Sequence, residues 1–271
     1  MLRFLRRPRQ DLLTENPPNQ DSQAGRFSKY ILYAIGEILL VVFGILIALQ
    51  VDNWNDYRKE REVETGILQD LQIEFDENLT DARRVYDGNK SIYNAAIELQ
   101  DNIASKTYEQ NRTDTLMYAM FDWFDYTPKP GASNNLINSG NLSLIRNEEL
   151  RNLLTLWSGV NAELDDDEQL AIAYSQQTIL PFIAEHYPMS NLERFDNLDA
   201  FYSMRGFTDS LIVASPEVRL FDVEGLLTNP VFQSHISAKK MYARHNMVEC
   251  QYVIYTCRSI LEIIDLELTS R

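Results

Sequence analysis

Between Tyr30 and Val51 the chain reads YILYAIGEILLVVFGILIALQV, 22 residues in which Glu37 is the single ionisable group. As a helix the run is about 33 Å long, enough for a hydrocarbon core of about 30 Å. Phe27, Tyr30 and Tyr33 flank its start and Trp54 and Tyr57 its end, where headgroup-level aromatic anchors belong. A cleavable signal peptide would be shorter and close on a small-x-small site, whereas here Gln50-Val51-Asp52-Asn53-Trp54 follows. An uncleaved signal anchor is expected. Six Lys/Arg against three Asp/Glu in residues 1–29 outweigh Arg58, Lys59 and Arg61 beyond the span. That asymmetry orients a short basic tail, 1–29, to the cytoplasm, a transmembrane helix, 30–51, and a large domain, 52–271, to the outside.

The formal charge of −15 is divided unequally, with about −17 of it after Val51. An acidic domain of this kind repels phosphate backbones and anionic headgroups, so no nucleic-acid partner is expected for it. With 45% apolar and 24% charged residues the chain should fold, and about 220 residues suffice for one sizeable helical core. Cys250 and Cys257 stand seven residues apart, about 10.5 Å along a helix, beyond disulfide reach. They read as small buried apolar residues.

Within the span, Ala34, Glu37, Val41, Gly44, Ala48 and Val51 recur at spacings of three and four and so share one helical face. Gly44 and Ala48 form a small-xxx-small pair of the type that lets membrane helices approach closely. Left charged and facing lipid, Glu37 would cost up to about 2.5 kcal/mol. Two readings stand: a contact for self-association or a partner helix, with an ion path as its variant, or a protonated or snorkelling side chain.

The stretch from Lys29 to Glu60 combines a YAIGEI start (Tyr33–Ile38), a GILIAL end (Gly44–Leu49) and an NWN exit (Asn53–Asn55). With the later SGNLSLIRNEELRNLL from Ser139 to Leu154, it resembles a family of uncharacterised single-span proteins from Bacteroidetes catalogued as a domain of unknown function, number 6090. The resemblance implies a bacterial inner membrane and a periplasmic domain. It implies no activity and brings no catalytic residue. The segment Asn16–Gly25 is longer than such leaders usually are.

Beyond the membrane the fold class expected is mainly α, the transmembrane helix continuing into an antiparallel helical bundle. Leu68, Leu71, Phe75, Ala82, Val85, Ile92, Ala96, Leu99 and Ile103 form one apolar stripe interrupted by Asn78 and Asn89, which predicts a stalk helix to about Ser105. A helix over Thr113–Phe124 should end at Thr127-Pro128-Lys129-Pro130-Gly131, followed by short helix and turn to Leu144. A third helix should run from Asn147 to about Thr178, burying Leu150, Leu153, Leu154, Trp157, Val160 and Leu164 and stopping before Pro181. Residues 188–230, divided by Pro188, Pro216 and Pro230, are the least regular and would suit a lid or partner loop. From Val231 to Leu268, Ala243, Met247, Cys250, Ile254, Cys257, Leu261, Ile264 and Leu268 keep a heptad spacing.

Catalytic motifs are not found. His235 and His245 lack metal-ligand spacing, His186 reads as a cap on helix C-terminal carbonyls, and no metal or cofactor is expected. The run Asp165–Glu168 lacks the alternating oxygens and glycine of a calcium loop and reads as a solvated helix face. None of the 40 acids stands in a distinctive setting, and Ser139-Gly140 reads as a turn between helices rather than part of a nucleophile elbow. The chain therefore reads as a bitopic, non-enzymatic interaction or sensor-like protein. Its expected partners are the bilayer and a second copy or another membrane protein. The alternative is a subunit of an oligomeric transport or channel complex using Glu37.

Overall fold

A computed structural model describes residues 23–195 and 217–270, with residues 23–29 by backbone alone. Residues 196–216 of the predicted lid or partner loop, 188–230, lie outside the described residues. The chain divides into two compact units, Met1–Arg61 and Glu62–Arg271. Helix α1, Gln23–Ser105, contributes to both.

In the first unit α1 carries the apolar run, the one described helix long and apolar enough to cross a membrane. Every side chain from Tyr30 to Val51 is exposed. Arg58 lies over the Trp54 ring at 5.9 Å, a cation–π contact beside one of the aromatic anchors.

In the second unit the described residues are mostly helical and contain no strand. Helix α1 is joined by α2 (Gln110–Phe121), α3 (Ala132–Asn138), a 3₁₀ turn (Asn141–Leu144) and α4 (Glu148–Tyr174). Then come α5 (Leu180–His186), α6 (Ser190–Glu193), α7 (Val223–Thr228) and α8 (Pro230–Thr269). The predicted stalk stripe is buried from Leu68 to Leu99, with Asn78 and Asn89 inside it, and α1 ends at Ser105 as expected. Helix α2 begins three residues before the predicted Thr113, because Glu109 accepts from the backbone N–H of Asn111 and Arg112. It ends at Phe121 rather than Phe124, where Asp122 turns extended.

Pairwise contacts fix the registers of the bundle. Gln72 donates to Asp265, Gln251 to Tyr86 and Gln100 to Ser237, so α8 runs antiparallel to α1. Asn147 donates to Glu267 while Tyr174 meets His235, so α8 is antiparallel to α4 as well. It follows that α1 and α4 are parallel, and the Phe75 and Trp157 rings meet at 4.9 Å. A parallel pair needs the chain to be carried back between its members. Helix α2, tied to α1 by the Arg112–Glu98 ion pair, and the segment from Asp122 to Ile145 do this.

The return segment shows how a non-helical chain is held against a helix. Backbone N–H groups buried without partners are costly, and Pro128 and Pro130 have none to satisfy. The intervening amides go to α1 side chains: Thr127 N to Asp81 at 3.0 Å, Lys129 N to Asn78 at 2.9 Å, and Ala132 and Ser133 N to Glu74. Arg146 N reaches Glu64 at 2.8 Å. These α1 residues act in place of a neighbouring strand. Of the two polar members of the apolar stripe, Asn78 clasps this backbone, whereas Asn89 donates to the Val85 carbonyl of its own helix. Gly140, at φ 73°, turns the chain between α3 and the 3₁₀ turn in the left-handed region that glycine tolerates, and Asn147 caps α4 by accepting from Leu150 N.

The helical path of α4 does not break before Pro181. Its last α-turn passes into a π-turn, Ser175–Ile179, and helix resumes as α5 with Pro181 in its first turn. The wider π-turn absorbs the backbone bond that proline cannot make. On α8 the row Ala243, Cys250, Cys257 and Ile264 is buried as expected, but Met247, Ile254, Leu261 and Leu268 are only half-buried. The second buried row is Asn246, Val253 and Ile260, because α8 lies between two helices and turns toward α4 as well as α1.

Gly88 is required by packing. A Cβ there would lie 2.4 Å from the Phe124 ring. Gly88→Ala is expected to destabilise the domain by about 1–3 kcal/mol through overpacking. Thermal unfolding of the full chain checks this, with recovery expected in Gly88→Ala/Phe124→Leu.

Candidate functional site

The core of the second unit forms two apolar clusters. One is built around Phe75, Trp157, Cys250 and Cys257, the other around Leu99, Met117, Ile183 and Phe232. Between them lies a polar waist. Lys239 of α8, 3% exposed, donates to the Asp122 carbonyl at 3.0 Å and to Ser175 Oγ at 2.9 Å. Ser175 Oγ donates in turn to the Ala171 carbonyl at 2.8 Å. Burial pushes the Lys239 ammonium down to about 8, with Asp122 opposing the shift. A Ser–Lys pair invites comparison with a nucleophile and its base. Here the serine proton points to main chain and the ammonium donates to the serine, so the pair staples α8, the π-turn and the return segment together. One α-turn earlier on α8, His235 Nδ1 meets Tyr174 Oη at 3.0 Å, and burial lowers the imidazole pKa.

A cavity of about 10 Å3, room for a single water, opens at the waist between Asn89, Trp123, Phe124, Tyr242 and Asn246. Glu168 sits nearer the first cluster. It is 1% exposed, which corrects the reading of Asp165–Glu168 as a wholly solvated face: Asp165 and Asp166 are exposed, while Glu168 turns inward. Its Oε2 accepts from Tyr126 N at 2.8 Å, and burial raises its carboxyl to about 8. Burial likewise pushes both thiols up, Cys257 to about 12, with Glu168 adding to the shift at Cys250. Both cysteines are buried and unpaired, as expected of core residues.

A second polar knot ties the ends of α2, α6 and the segment before α7. Asp114, fully buried, accepts from Tyr187 Oη at 2.6 Å and from Arg194 at 2.8 Å. Asn191 exchanges two hydrogen bonds with the backbone of Arg219. Sequence periodicity did not single out Asp114, Glu168 or Lys239. The expectation that no acid has a distinctive setting is corrected by Asp114, Glu74 and Glu168. His186 stacks on Phe182 at 4.2 Å and meets its carbonyl through Nδ1, in keeping with its reading as a C-terminal cap.

The residues singled out in the span behave differently. Ala34, Glu37, Val41, Gly44 and Ala48 lie exposed on α1, and a Cβ at Gly44 would meet nothing within 4 Å. Tyr30, Tyr33, Trp54 and Tyr57 are exposed at the two ends of the run.

Helical architecture, one helix able to span a membrane, and a domain whose buried acids hold its own backbone define the class: a helical protein with a candidate single span. Within it, residues 37–160 match the model of the Family of unknown function (DUF6090), the domain that the sequence resembles. The match begins inside the span, takes in the whole clasp of Glu64, Glu74, Asn78 and Asp81, and ends within α4, before Glu168 and α8. Neither a curated protein nor a solved structure matches the chain.

Proposed function

We propose that the chain is a bitopic bacterial inner-membrane protein, its N-terminal tail cytoplasmic and its helical domain a periplasmic interaction or sensor-like module without enzymatic activity. One observation carries this reading. The buried Glu64, Glu74, Asp114 and Lys239 side chains bond the domain's own backbone and side chains, and the opening at the waist beside Lys239 and Asn246 has a volume of only about 10 Å3. Such a domain presents surface, and its span presents a small-residue face suited to another helix. In-cell cross-linking followed by partner identification from isolated membranes tests it. Reproducible cross-links to the same membrane or envelope protein, or to a second copy, are expected. A chain that is monomeric in the membrane with nothing reproducibly attached overturns it.

Glu37 supports a second reading, a subunit of a transport or channel complex, because an acid on the span is most readily kept where several copies line a polar path. Glu37→Gln should then abolish ion or proton flux in reconstituted vesicles without lowering expression. Equal flux in the two proteins rules it out.

A further inference from the structure

Helix α8 has a second face. Opposite its buried row, at spacings of three, four, seven and eleven that close on one line, lie Met241, Val248, Tyr252, Tyr255 and Leu266, each between 45% and 66% exposed. At about 100° per residue this line stands roughly 150° from the buried one. The positions completing its four-three alternation are His245, Ser259 and Glu262. More than three heptads of this spacing are the pattern of a helix–helix seam rather than of scattered surface apolar residues.

We propose that this face is a seam for a second copy of the chain, the two α8 helices pairing in parallel. The inference rests on the interaction reading above and names its partner and surface. Charge on the flanks argues for the second copy. On the α4 side, Glu249 lies beside Glu163 and Asp167; burial and these two acids hold its carboxyl above the usual range, and His245 opposes them. In a parallel pair a residue on one flank lies across from the flank residue five positions later in the other helix. Arg244, exposed on the α1 side, therefore comes to Glu249 of the other copy, twice by symmetry. Each copy brings a cation to the other's crowded acids.

Direction follows from the registers. Gln72 of α1 bonds Asp265, so the end at which α1 enters the bundle is the C-terminal end of α8. A parallel pair places both entry ends on one side, as anchoring in one bilayer requires, and confinement there raises the effective concentration of the second copy. An antiparallel pair would separate those ends and set His245 against Glu262. The parallel pair instead sets Glu262 against its own copy, so repulsion weakens that end of the seam.

The test uses the full-length chain in its native membrane. Met241→Cys is expected to give a disulfide-linked homodimer on mild oxidation. Adding Val248→Glu or Tyr255→Glu, both at exposed positions, should cut its yield roughly tenfold, the effect of about 1.4 kcal/mol at a packed layer. Helicity should not change, nor should the melting temperature of the monomer at high dilution in detergent. Glu262→Gln should raise the yield. Absence of the Met241→Cys homodimer, a yield indifferent to the two glutamates, or a fall with Glu262→Gln overturns the parallel seam. Should Met241→Cys link only to a different protein, the second copy is overturned while the interaction reading stands. If it links to nothing and in-cell cross-linking also finds no partner, both fall.

Discussion

Glu74→Ala is expected to lower the stability of the helical domain by about 3 kcal/mol or more, because it leaves buried donors without an acceptor. The Glu74 carboxylate takes the backbone N–H of Ala132, that of Ser133 at 3.1 Å and the Ser133 hydroxyl, starting α3 from a side chain on another helix. Gly131, the residue in the N-cap position, supplies no side-chain acceptor of its own. At roughly 2–4 °C per kcal/mol for a domain of this size, the melting temperature should fall by about 6–12 °C. Thermal unfolding followed by circular dichroism, on purified full-length protein in detergent, measures this. Glu74→Gln keeps one acceptor oxygen and should lose less. If Glu74→Ala melts with the parent, the clasp does not hold the return segment.

Glu168→Gln should have the opposite sign, and one that depends on pH. The folded state holds the Glu168 carboxyl near 8 by burial, against 4.5 in the absence of structure. The folded chain therefore binds this proton more tightly than the unfolded chain does. Its contribution is fully present below about pH 4.5, and stability is lost as pH rises toward 8. At about 1.4 kcal/mol per pKa unit the loss across that window is on the order of 4 kcal/mol. Glutamine cannot ionise, so the variant should match the parent near pH 4.5 and exceed it at pH 8. Lys239 works in the adjacent window: with its pKa lowered to about 8 in the fold, stability attributable to it rises above pH 8. Denaturant midpoints from pH 4.5 to 8 isolate the Glu168 contribution, and parallel curves for parent and variant count against it.

The elements legible in the sequence are those whose pattern reports burial alone. The α1 stripe, the helix start at Asn147, the turn at Ser139-Gly140, and the row Ala243, Cys250, Cys257 and Ile264 follow from periodicity and local turn chemistry. What was hidden depends on partners distant in the chain. Asn78 interrupted an apolar stripe, yet nothing local says that it awaits Lys129 N, 51 residues on. Glu168 stood in a run of four acids, and it is burial against the distant Tyr126 amide that distinguishes it from Asp165. Pro181 ended a predicted helix because a π-turn leaves no compositional mark. The parallel relation of α1 and α4 needed the return segment to be recognised as a backbone held by side chains. For the candidate site, the span face could be drawn on a helical wheel, whereas the waist around Lys239 and the outward line on α8 required the bundle to show which positions were covered.

The registers of the bundle also govern the order in which it can be built. Gln72 meets Asp265 across 193 residues of chain, and Gln100 meets Ser237 across 137. During synthesis the apolar side of α1 is complete long before α8 leaves the ribosome, and α4 alone covers it from only one direction. A nascent chain would thus carry a half-clad helix for most of its elongation. Such a chain gains from closure segments of its own, and the return segment, laid on α1 within about 50 residues, is placed to act as a temporary cladding until the last helix arrives.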